Sequence, residues 1–347
     1  MMPLAAALFR RARNLGGAPR SPRLAASLAL LAAAVFSHPA AALPVLTPDT
    51  PASATLAPPS AVHAALAQPV PVQRVTIPGE AGMPMLTAYW FLPRETMPRT
   101  QGMPVVVALH GCNGLDEARK TGVLQPRYRE YAQWLSERGY AVLMPDSYGP
   151  RGKQDTCGDA PGGRDGRDAR DGGRGIDDKT RRADALAALR WLTGQPGLDI
   201  RRVVLLGWSN GAQAVLATID ASRPWPAATP NVERAVAFYP GCRRAVQQHN
   251  FRLRAPLLLM IGGADDWTPA TRCAMLQSAV QARQPNARFR LEIYPGAYHG
   301  FDGTSELHVR REIASTRRGG HVTVGGDAVA RVAALAQLDS WLASATP

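Results

Sequence analysis

The chain has 347 residues, of which 46% are hydrophobic and 19% are charged. This composition is typical of a protein with a hydrophobic core, and it excludes intrinsic disorder, a collagen and a small disulfide scaffold. The formal net charge of +13 comes from scattered arginines, with no basic run interleaved with aromatic residues. It therefore gives no reason to expect a nucleic-acid partner.

The N-terminus has the pattern of a secretory signal. Arginines up to Arg23 precede an apolar stretch over residues 24–36, and three alanines follow at 40–42. The pattern predicts a signal peptide over residues 1–42 and an exported protein, periplasmic or secreted. The apolar stretch is shorter than the about 20 residues that span a bilayer, so we expect no stable membrane insertion after the signal is removed. An uncleaved anchor is the alternative.

Residues 43–71 are rich in Ala and Pro and lack a sustained apolar period, which predicts a flexible tether. The folded domain is expected over residues 72–347. Strands are predicted at 72–77, 85–92, 104–109, 141–144, 202–206, 235–239, 256–261 and 288–293. Helices are predicted at 128–138, 178–192, 212–219, 269–282 and 328–342. This alternation predicts an α/β fold with a mostly parallel central sheet flanked by helices.

One stretch, Gly162–Gly175, reads GGRDGRDARDGGRG and has no apolar anchor. Glycine and alternating charge predict a mobile, solvated loop. It follows the strand predicted at 141–144 on the side where α/β sheets bind ligands. Two interpretations stay open, a lid over the active site and a neutral surface insertion.

A candidate nucleophile lies at a strand–turn–helix junction. The segment 207–211, Gly-Trp-Ser-Asn-Gly, matches the G-x-S-x-G pattern, with a buried strand before it and a helix after it. Glycines at both ends permit the sharp turn that raises Ser209 above the sheet. The backbone N–H of Asn210, at the helix N-terminus, is the first candidate oxyanion donor.

A serine nucleophile needs a base and an acid, which follow it in the chain order Ser, acid, His. Asp265 and Asp266 are adjacent after the strand at 256–261. The spacing to the surrounding Gly and Pro favours Asp265 as the acid, with Asp266 capping the helix that starts at Pro269. His299 follows the last strand on the loop where the base belongs, whereas His308 and His321 lie in polar segments.

The second oxyanion donor is expected in the segment 110–114, His-Gly-Cys-Asn-Gly, directly after the strand at 104–109. The backbone N–H of Cys112 is the candidate donor. His110 itself is expected to be structural.

The segments ALHGCNG, PDSYGPRG, LLGWSNG, IGGADDWTP and YPGAYHGF occur in this order, and with them the domain resembles the dienelactone hydrolase family of α/β-hydrolases. The resemblance implies an α/β-hydrolase fold and hydrolysis of a small-molecule carboxylic ester or lactone through an acyl-enzyme, with no metal and no cofactor. The founding enzymes use a cysteine nucleophile and carry a glutamate on the oxyanion loop. Serine at position 209 makes an exported serine subgroup the better match.

In that family an arginine after the strand that ends near Asp146 contacts the carboxylate of the substrate. Arg151 is the nearest candidate, and an ordinary loop arginine is the alternative interpretation. Trp208, Trp267 and Tyr298 are the other candidate substrate-binding residues.

Four cysteines in an exported chain predict disulfides, and three pairings are possible. We prefer Cys112–Cys157 with Cys242–Cys273, because all four residues follow strands on the active-site side. No cluster has the spacing of a zinc site.

Other functions remain open on the same residues. A peptidase or a polyester hydrolase would use the same triad. A non-catalytic binding protein would not need Ser209, Asp265 and His299 together, although a fold alone does not imply a function.

Overall fold

The computed structural model describes residues 70–80, 82–93, 102–118, 120–157, 176–314 and 320–344. The predicted signal peptide, nearly all of the tether and the loop at 162–175 lie outside the described residues. Those three interpretations stay predictions.

The strands, in chain order, are β1 (Val72–Ile77), β2 (Leu86–Phe91), β3 (Met103–Leu109), β4 (Asp116–Glu117), β5 (Lys120–Leu124), β6 (Ala141–Pro145), β7 (Leu198–Trp208), β8 (Arg234–Phe238), β9 (Leu257–Gly262), β10 (Phe289–Tyr294), β11 (His308–Ala314) and β12 (His321–Val324). Eight of them form one sheet in the order β1-β2-β6-β3-β7-β8-β9-β10. β1 pairs antiparallel with β2, and β2 pairs antiparallel with β6. All the other pairs of this sheet are parallel.

The helices are α1 (Pro126–Glu137), α2 (Asp178–Trp191), α3 (Asn210–Thr218), α4 (Arg243–Gln247), α5 (Ala270–Arg283) and α6 (Ala328–Ala343). Aspartates cap two of them, since Asp177 accepts the N–H of Thr180 and Asp327 accepts the N–H of Ala330. The five predicted helices are present, with ends shifted by two residues at most. None of the helices in the described part of the chain is long and apolar enough to cross a membrane.

The centre of the sheet is buried on both faces. The residues of β8 and β9 are all buried, as are the last six residues of β7. Strands buried on both faces need continuous apolar runs rather than alternation, and such runs are what the sequence offers at these positions. The predicted α/β fold with a mostly parallel sheet is confirmed.

Two antiparallel hairpins lie outside the central sheet, and sequence analysis did not predict either. One is β4–β5, and the other is β11–β12, in which His308 pairs with Val324. Both are rich in polar residues, so hydrophobicity alone does not separate them from loops. β7 is also longer than predicted, because Leu198 pairs with Met103 ahead of the apolar run.

Candidate active site

Ser209 occupies a strained turn between β7 and α3. Its backbone has φ 51° and ψ −114°, a conformation that residues other than glycine rarely adopt. A Cβ atom at Gly207 would lie 2.5 Å from the backbone of Gly211, and one at Gly211 would overlap the carbonyl oxygen of Leu109. Glycine at both positions therefore permits the turn that presents Ser209.

The structure brings the three candidate catalytic residues together. His299 Nε2 lies 2.9 Å from Ser209 Oγ, and His299 Nδ1 lies 2.8 Å from Asp265 Oδ2. Both distances are those of hydrogen bonds. Ser209 is half-buried, whereas His299 and Asp265 are only 4% and 5% exposed. A hydroxyl, an imidazole and a carboxylate are thus joined in the spatial order Ser209–His299–Asp265, the arrangement of a Ser-His-Asp triad.

The loop between β9 and α5, here called the acid loop, fixes Asp265 with three further hydrogen bonds. Its Oδ1 accepts the backbone N–H of Trp267 at 2.9 Å and of Thr268 at 2.7 Å. Its Oδ2 accepts the hydroxyl of Thr268 at 2.8 Å. Burial raises the pKa of Asp265, but the charge and hydrogen bond of His299 and the hydrogen bonds of Thr268 outweigh it. The net pKa lies below the ordinary carboxyl value, so the carboxylate stays ionised.

Asp266 points away from His299 and binds the β11–β12 hairpin. Its Oδ1 accepts the backbone N–H of Thr323 at 2.9 Å, and its Oδ2 accepts the hydroxyl of Thr323 at 3.2 Å. The N-cap of α5 is Pro269, without a side-chain capping bond. The expectation that Asp266 caps this helix is therefore wrong, because its carboxylate instead accepts hydrogen bonds from Thr323 of β12.

Two aromatic rings flank the imidazole of His299. The ring centroids of Tyr239 and Trp267 both lie 4.6 Å from that of His299. Tyr239 is buried, and Trp267 is half-buried and lines the cavity beside Ser209. Because rings of this size leave little space around the imidazole, they restrict its orientation.

The segment 110–114 lies directly against Ser209. A Cβ atom at Gly111 would lie 3.7 Å from Ser209 Cβ, and the N–H of Gly111 donates to Tyr128 Oη at 2.8 Å. Cys112 and Ser209 line the same cavity. Asn210 is the first residue of α3, directly after Ser209.

His110, the first residue of this segment, is held in the protein interior by hydrogen bonds. The ring is fully buried, with Nδ1 2.8 Å from the carbonyl oxygen of Gly111 and Nε2 accepting the N–H of Ser147 at 3.1 Å. Burial, followed by the charge of Arg181, holds the pKa of His110 well below its ordinary value. A neutral imidazole fits this pattern, with the proton on Nδ1, and its position is that of a structural residue.

The structure contains the two preferred disulfides. The Cα atoms lie 4.9 Å apart in Cys112–Cys157 and 5.1 Å apart in Cys242–Cys273, within the usual range. Cys112 and Cys157 form a hydrophobic cluster with Ile313 and Val322 of the β11–β12 hairpin. The first disulfide therefore packs against the hairpin beside the segment next to Ser209.

Ser209 opens into a cavity of about 440 Å³. His299, Cys112 and Trp267 line it together with Ser209, and Arg127 lines it from the start of α1. The β11–β12 hairpin supplies another wall through His308, Arg310 and Val324. A site of this size holds a small molecule.

The predicted substrate-binding residues divide between the cavity and the interior. Trp267 lines the cavity. Trp208 also contributes to its wall, but it is buried and its Nε1 donates to Asp302 at 2.9 Å. Tyr298 is half-buried and does not belong to the cavity wall formed by the described residues.

Arg151 is not brought to the cavity. Its guanidinium donates to both carboxylate oxygens of Asp184, at 2.8 and 2.9 Å, and to the carbonyl oxygen of Ser147 at 2.7 Å. The expectation that Arg151 contacts substrate is corrected, since its donors are engaged in a buried ion pair.

Several cavity residues were missed by sequence reasoning. Tyr239 follows β8 at the carboxyl end of the sheet, where ligand sites lie, so its position was a usable signal. Arg310 belongs to the hairpin that was not predicted, and Arg127 lies next to a helix start that was placed two residues too late. Nothing in the local sequence marks these two arginines as cavity residues.

Known proteins resemble this chain in part of its sequence and in its fold. An uncharacterised protein of Mycobacterium tuberculosis, present in strains CDC 1551 and H37Rv, is 34% identical over 154 residues. The match covers 39% of this chain and about half, 52%, of that relative.

Solved structures share the architecture at low identity. A dienelactone hydrolase-like promiscuous phosphotriesterase from metagenomic libraries is 17% identical, with a TM-score of 0.54 over 78% of this chain and 97% of that chain. Esterase 2 of Thermogutta terrifontis is 18% identical, with a TM-score of 0.51 over 79% of this chain and 91% of that chain. At such identities the likeness concerns the fold alone.

The family assignment comes from the sequence. The model of the dienelactone hydrolase family matches residues 87–343, a range that runs from β2 to the end of α6 and includes every residue of the Ser209–His299–Asp265 arrangement. The fold, its structural relatives and this match agree, and the chain belongs to the dienelactone hydrolase family of α/β-hydrolases.

Proposed function

We propose that the chain is a serine hydrolase that cleaves a carboxylic ester or lactone through an acyl-enzyme. The observation that carries the proposal is the continuous hydrogen-bond chain from Ser209 Oγ through His299 to Asp265, with distances of 2.9 and 2.8 Å. Membership of the dienelactone hydrolase family supports a hydrolase. That the bond cleaved is a carboxylic ester or lactone is our own proposal.

The proton path follows from the two nitrogen atoms of His299. Nδ1–H donates to Asp265, so the lone pair of Nε2 faces the hydroxyl of Ser209. Nε2 takes the hydroxyl proton as Oγ attacks the carbonyl carbon of the substrate. The ionised carboxylate of Asp265 holds the ring in this tautomer and stabilises the imidazolium that forms.

The negative charge that develops on the carbonyl oxygen needs donors close to Ser209. We assign this role to the backbone N–H groups of Cys112, which lines the same cavity as Ser209, and of Asn210, which directly follows Ser209. Asn210 begins α3, so the helix dipole adds to its donor strength. The loss of one such donor typically lowers the rate by about 10²–10³.

The bond between the carbonyl carbon and the alcohol oxygen of the substrate then breaks, and His299 Nε2 gives its proton to that oxygen, which leaves the acyl-enzyme. Water next attacks the acyl carbon while His299 takes its proton, and the bond to Ser209 Oγ breaks as His299 returns the proton to the serine. The cavity of about 440 Å³ suits a small-molecule substrate. The two disulfides and the N-terminal signal pattern support an exported protein.

The proposal is tested with a fluorophosphonate probe, which labels activated serines. The wild-type chain, Ser209→Ala and the control Ser278→Ala, an exposed serine on α5, are treated and weighed as intact proteins. We expect labelling of the wild type and the control, none of Ser209→Ala, and turnover of esters or lactones that parallels the labelling. Folded wild-type protein without a Ser209-dependent adduct would overturn the proposal.

A further inference from the structure

A second buried hydrogen-bond network lies behind His299 and takes no part in the Ser209–His299–Asp265 chain. Its centre is Asp302, which is only 1% exposed. Asp302 Oδ1 accepts the hydroxyl of Tyr239 at 2.6 Å, and Arg127 Nη1 lies 3.7 Å from the same oxygen. A buried carboxylate with this many partners holds them in one arrangement.

The network joins the elements that carry the nucleophile and the base. Trp208 precedes Ser209 at the end of β7, and its Nε1 donates to Asp302 Oδ2 at 2.9 Å. Asp302 follows His299 by three residues on the same loop. The Trp208–Asp302 hydrogen bond therefore connects the end of β7 with the loop that carries His299. It does so independently of the hydrogen bond between Ser209 and His299.

Tyr239 extends the network to the imidazole itself. Its ring packs on His299 at 4.6 Å, while its hydroxyl accepts Arg127 Nη1 at 2.8 Å and donates to Asp302. Its carbonyl oxygen lies 3.3 Å from Thr268 Oγ1, the hydroxyl that also donates to Asp265. Tyr239 thus contacts both His299 and Thr268, the residue that hydrogen-bonds to Asp265.

The backbone of Tyr239 is in a conformation that a bulky residue adopts only under constraint. Its φ is 41°, in the left-handed region. Such strain persists where the surroundings determine the conformation, and it occurs often at functional sites. Here the surroundings are the hydrogen bonds of its hydroxyl and its backbone N–H, which donates to the carbonyl oxygen of Met260.

We propose that Tyr239 and Asp302 are positioning residues that hold His299 over Ser209. The ring of Tyr239 sets the plane of the imidazole, and Asp302 ties the loop of the imidazole to the end of β7. Arg127 supports both, since its Nη2 also donates to the carbonyl oxygen of Gly300 at 3.3 Å. The inference rests on the proposed function, because the held geometry matters only if His299 acts as a base.

A positioning role differs from a purely structural role in its kinetic effect. A displaced imidazole lowers kcat, because small misplacements of a catalytic group are costly, and it leaves the binding of substrate nearly unchanged. A purely structural role lowers the melting temperature while the remaining folded enzyme keeps its kcat. The two roles are separated by measuring kcat, KM and the melting temperature on the same protein.

Tyr239→Phe is the first variant, since it keeps the ring and removes the hydroxyl. The matched control is Tyr294→Phe, because Tyr294 is also buried and also packs on Phe301, at 4.9 Å, but its hydroxyl has no hydrogen-bond partner among the described residues. On an ester that the wild type hydrolyses, we expect Tyr239→Phe to lower kcat about tenfold with KM within about twofold. Tyr294→Phe is expected to keep both constants.

Tyr239→Leu also removes the ring, and we expect a loss in kcat of about 10². The expected kcat values therefore decrease from the wild type to Tyr239→Phe and further to Tyr239→Leu. The conservative Phe variant thus retains part of the activity that the Leu variant loses. A Tyr239→Phe variant with wild-type kcat, a change confined to KM, or an equal loss in Tyr294→Phe would overturn the inference. Should Tyr239→Leu not fold, the Phe variant decides alone, because it preserves the shape of the core.

The wild-type result separates the two levels of proposal. A wild type without Ser209-dependent labelling overturns the proposed function and this inference with it. A labelled, active wild type beside an unimpaired Tyr239→Phe variant overturns this inference only.

Discussion

The carboxylate of Asp266 accepts two hydrogen bonds from Thr323 of β12, one from the backbone and one from the hydroxyl. The residue next to the candidate catalytic acid thus fastens the β11–β12 hairpin to the acid loop. The same hairpin reaches the loop of the base, since the N–H of Gly325 donates to the carbonyl oxygen of His299 at 3.1 Å. The two adjacent carboxylates therefore have different partners: Asp265 hydrogen-bonds to the imidazole of His299, and Asp266 binds the hairpin that forms part of the cavity wall.

This division predicts different kinetics for two neighbouring alanine variants. We expect Asp265→Ala to lower kcat by about 10⁴, because the imidazole loses its orientation and its counter-charge. Asp266→Ala releases the hairpin that forms part of the cavity, so we expect a rise in KM and a fall in kcat of less than about tenfold. Steady-state kinetics on one ester measures both, and the reverse ranking would show that Asp266 is the acid.

The candidate triad was predictable because its signals are local. The turn around Ser209 is defined by a buried strand, a helix and two glycines between them, at which a Cβ atom would collide with neighbouring backbone. All of these features lie within one short segment of the sequence. The spacing between Gly262 and Pro269 distinguishes Asp265 from its neighbour in the same way. Strand order then places His299 at the same edge of the sheet.

The rest of the site depends on pairings between distant residues. In the β11–β12 hairpin, Ile313 and Val322 pack on the Cys112–Cys157 disulfide, a contact that no local pattern in a polar segment reveals. Arg151 is likewise withdrawn from the cavity by Asp184, which lies 33 residues further along the chain. Sequence positions beside a site do not show which partner a charged side chain takes.

The two disulfides are expected to have unequal effects on catalysis. Replacing Cys112 and Cys157 with serine should lower the free energy of unfolding by about 2–4 kcal/mol and also lower kcat, because the segment that carries the N–H of Cys112 is released from the hairpin. Replacing Cys242 and Cys273 is the matched control, with a similar loss of stability. Denaturant unfolding and kcat, measured below both melting transitions, test this expectation. Equal kcat losses in the two double variants would contradict a specific role for the first disulfide.

The turn around Ser209 should tolerate no side chain at Gly211. A Cβ there overlaps the carbonyl oxygen of Leu109, so β3 and α3 must move apart, and we expect Gly211→Ala to lose about 3 kcal/mol or more of unfolding free energy. Gly194→Ala is the control, since its Cβ would meet no atom within 4 Å, and it should change stability by less than about 0.5 kcal/mol. Urea unfolding of both variants gives the comparison, and a Gly211→Ala variant as stable as the control would contradict the close approach.

Acid should destabilise the protein through His110 before it affects Asp265. Burial and the charge of Arg181 lower the pKa of His110 well below its ordinary value, although Asp146 Oδ1 lies 3.9 Å from its Nε2. Below about pH 6.5 the unfolded chain takes up a proton at this residue and the folded chain does not. Stability therefore falls as the pH falls, by up to about 1.4 kcal/mol per pH unit for this single group. Asp265, with its lowered pKa, is present as the carboxylate throughout this range, and its contribution is lost only in stronger acid.

The measurement is urea unfolding between about pH 7.5 and about pH 5.5. His110→Asn should be less stable than the wild type at the upper pH, because it loses the buried hydrogen bonds to Gly111 and Ser147, but its stability should depend less on pH. His249→Asn, a change at an exposed position, leaves His110 in place and should keep the wild-type slope. If His110→Asn and the wild type lose stability in parallel over this range, the buried imidazole is not the group that takes up the proton on unfolding.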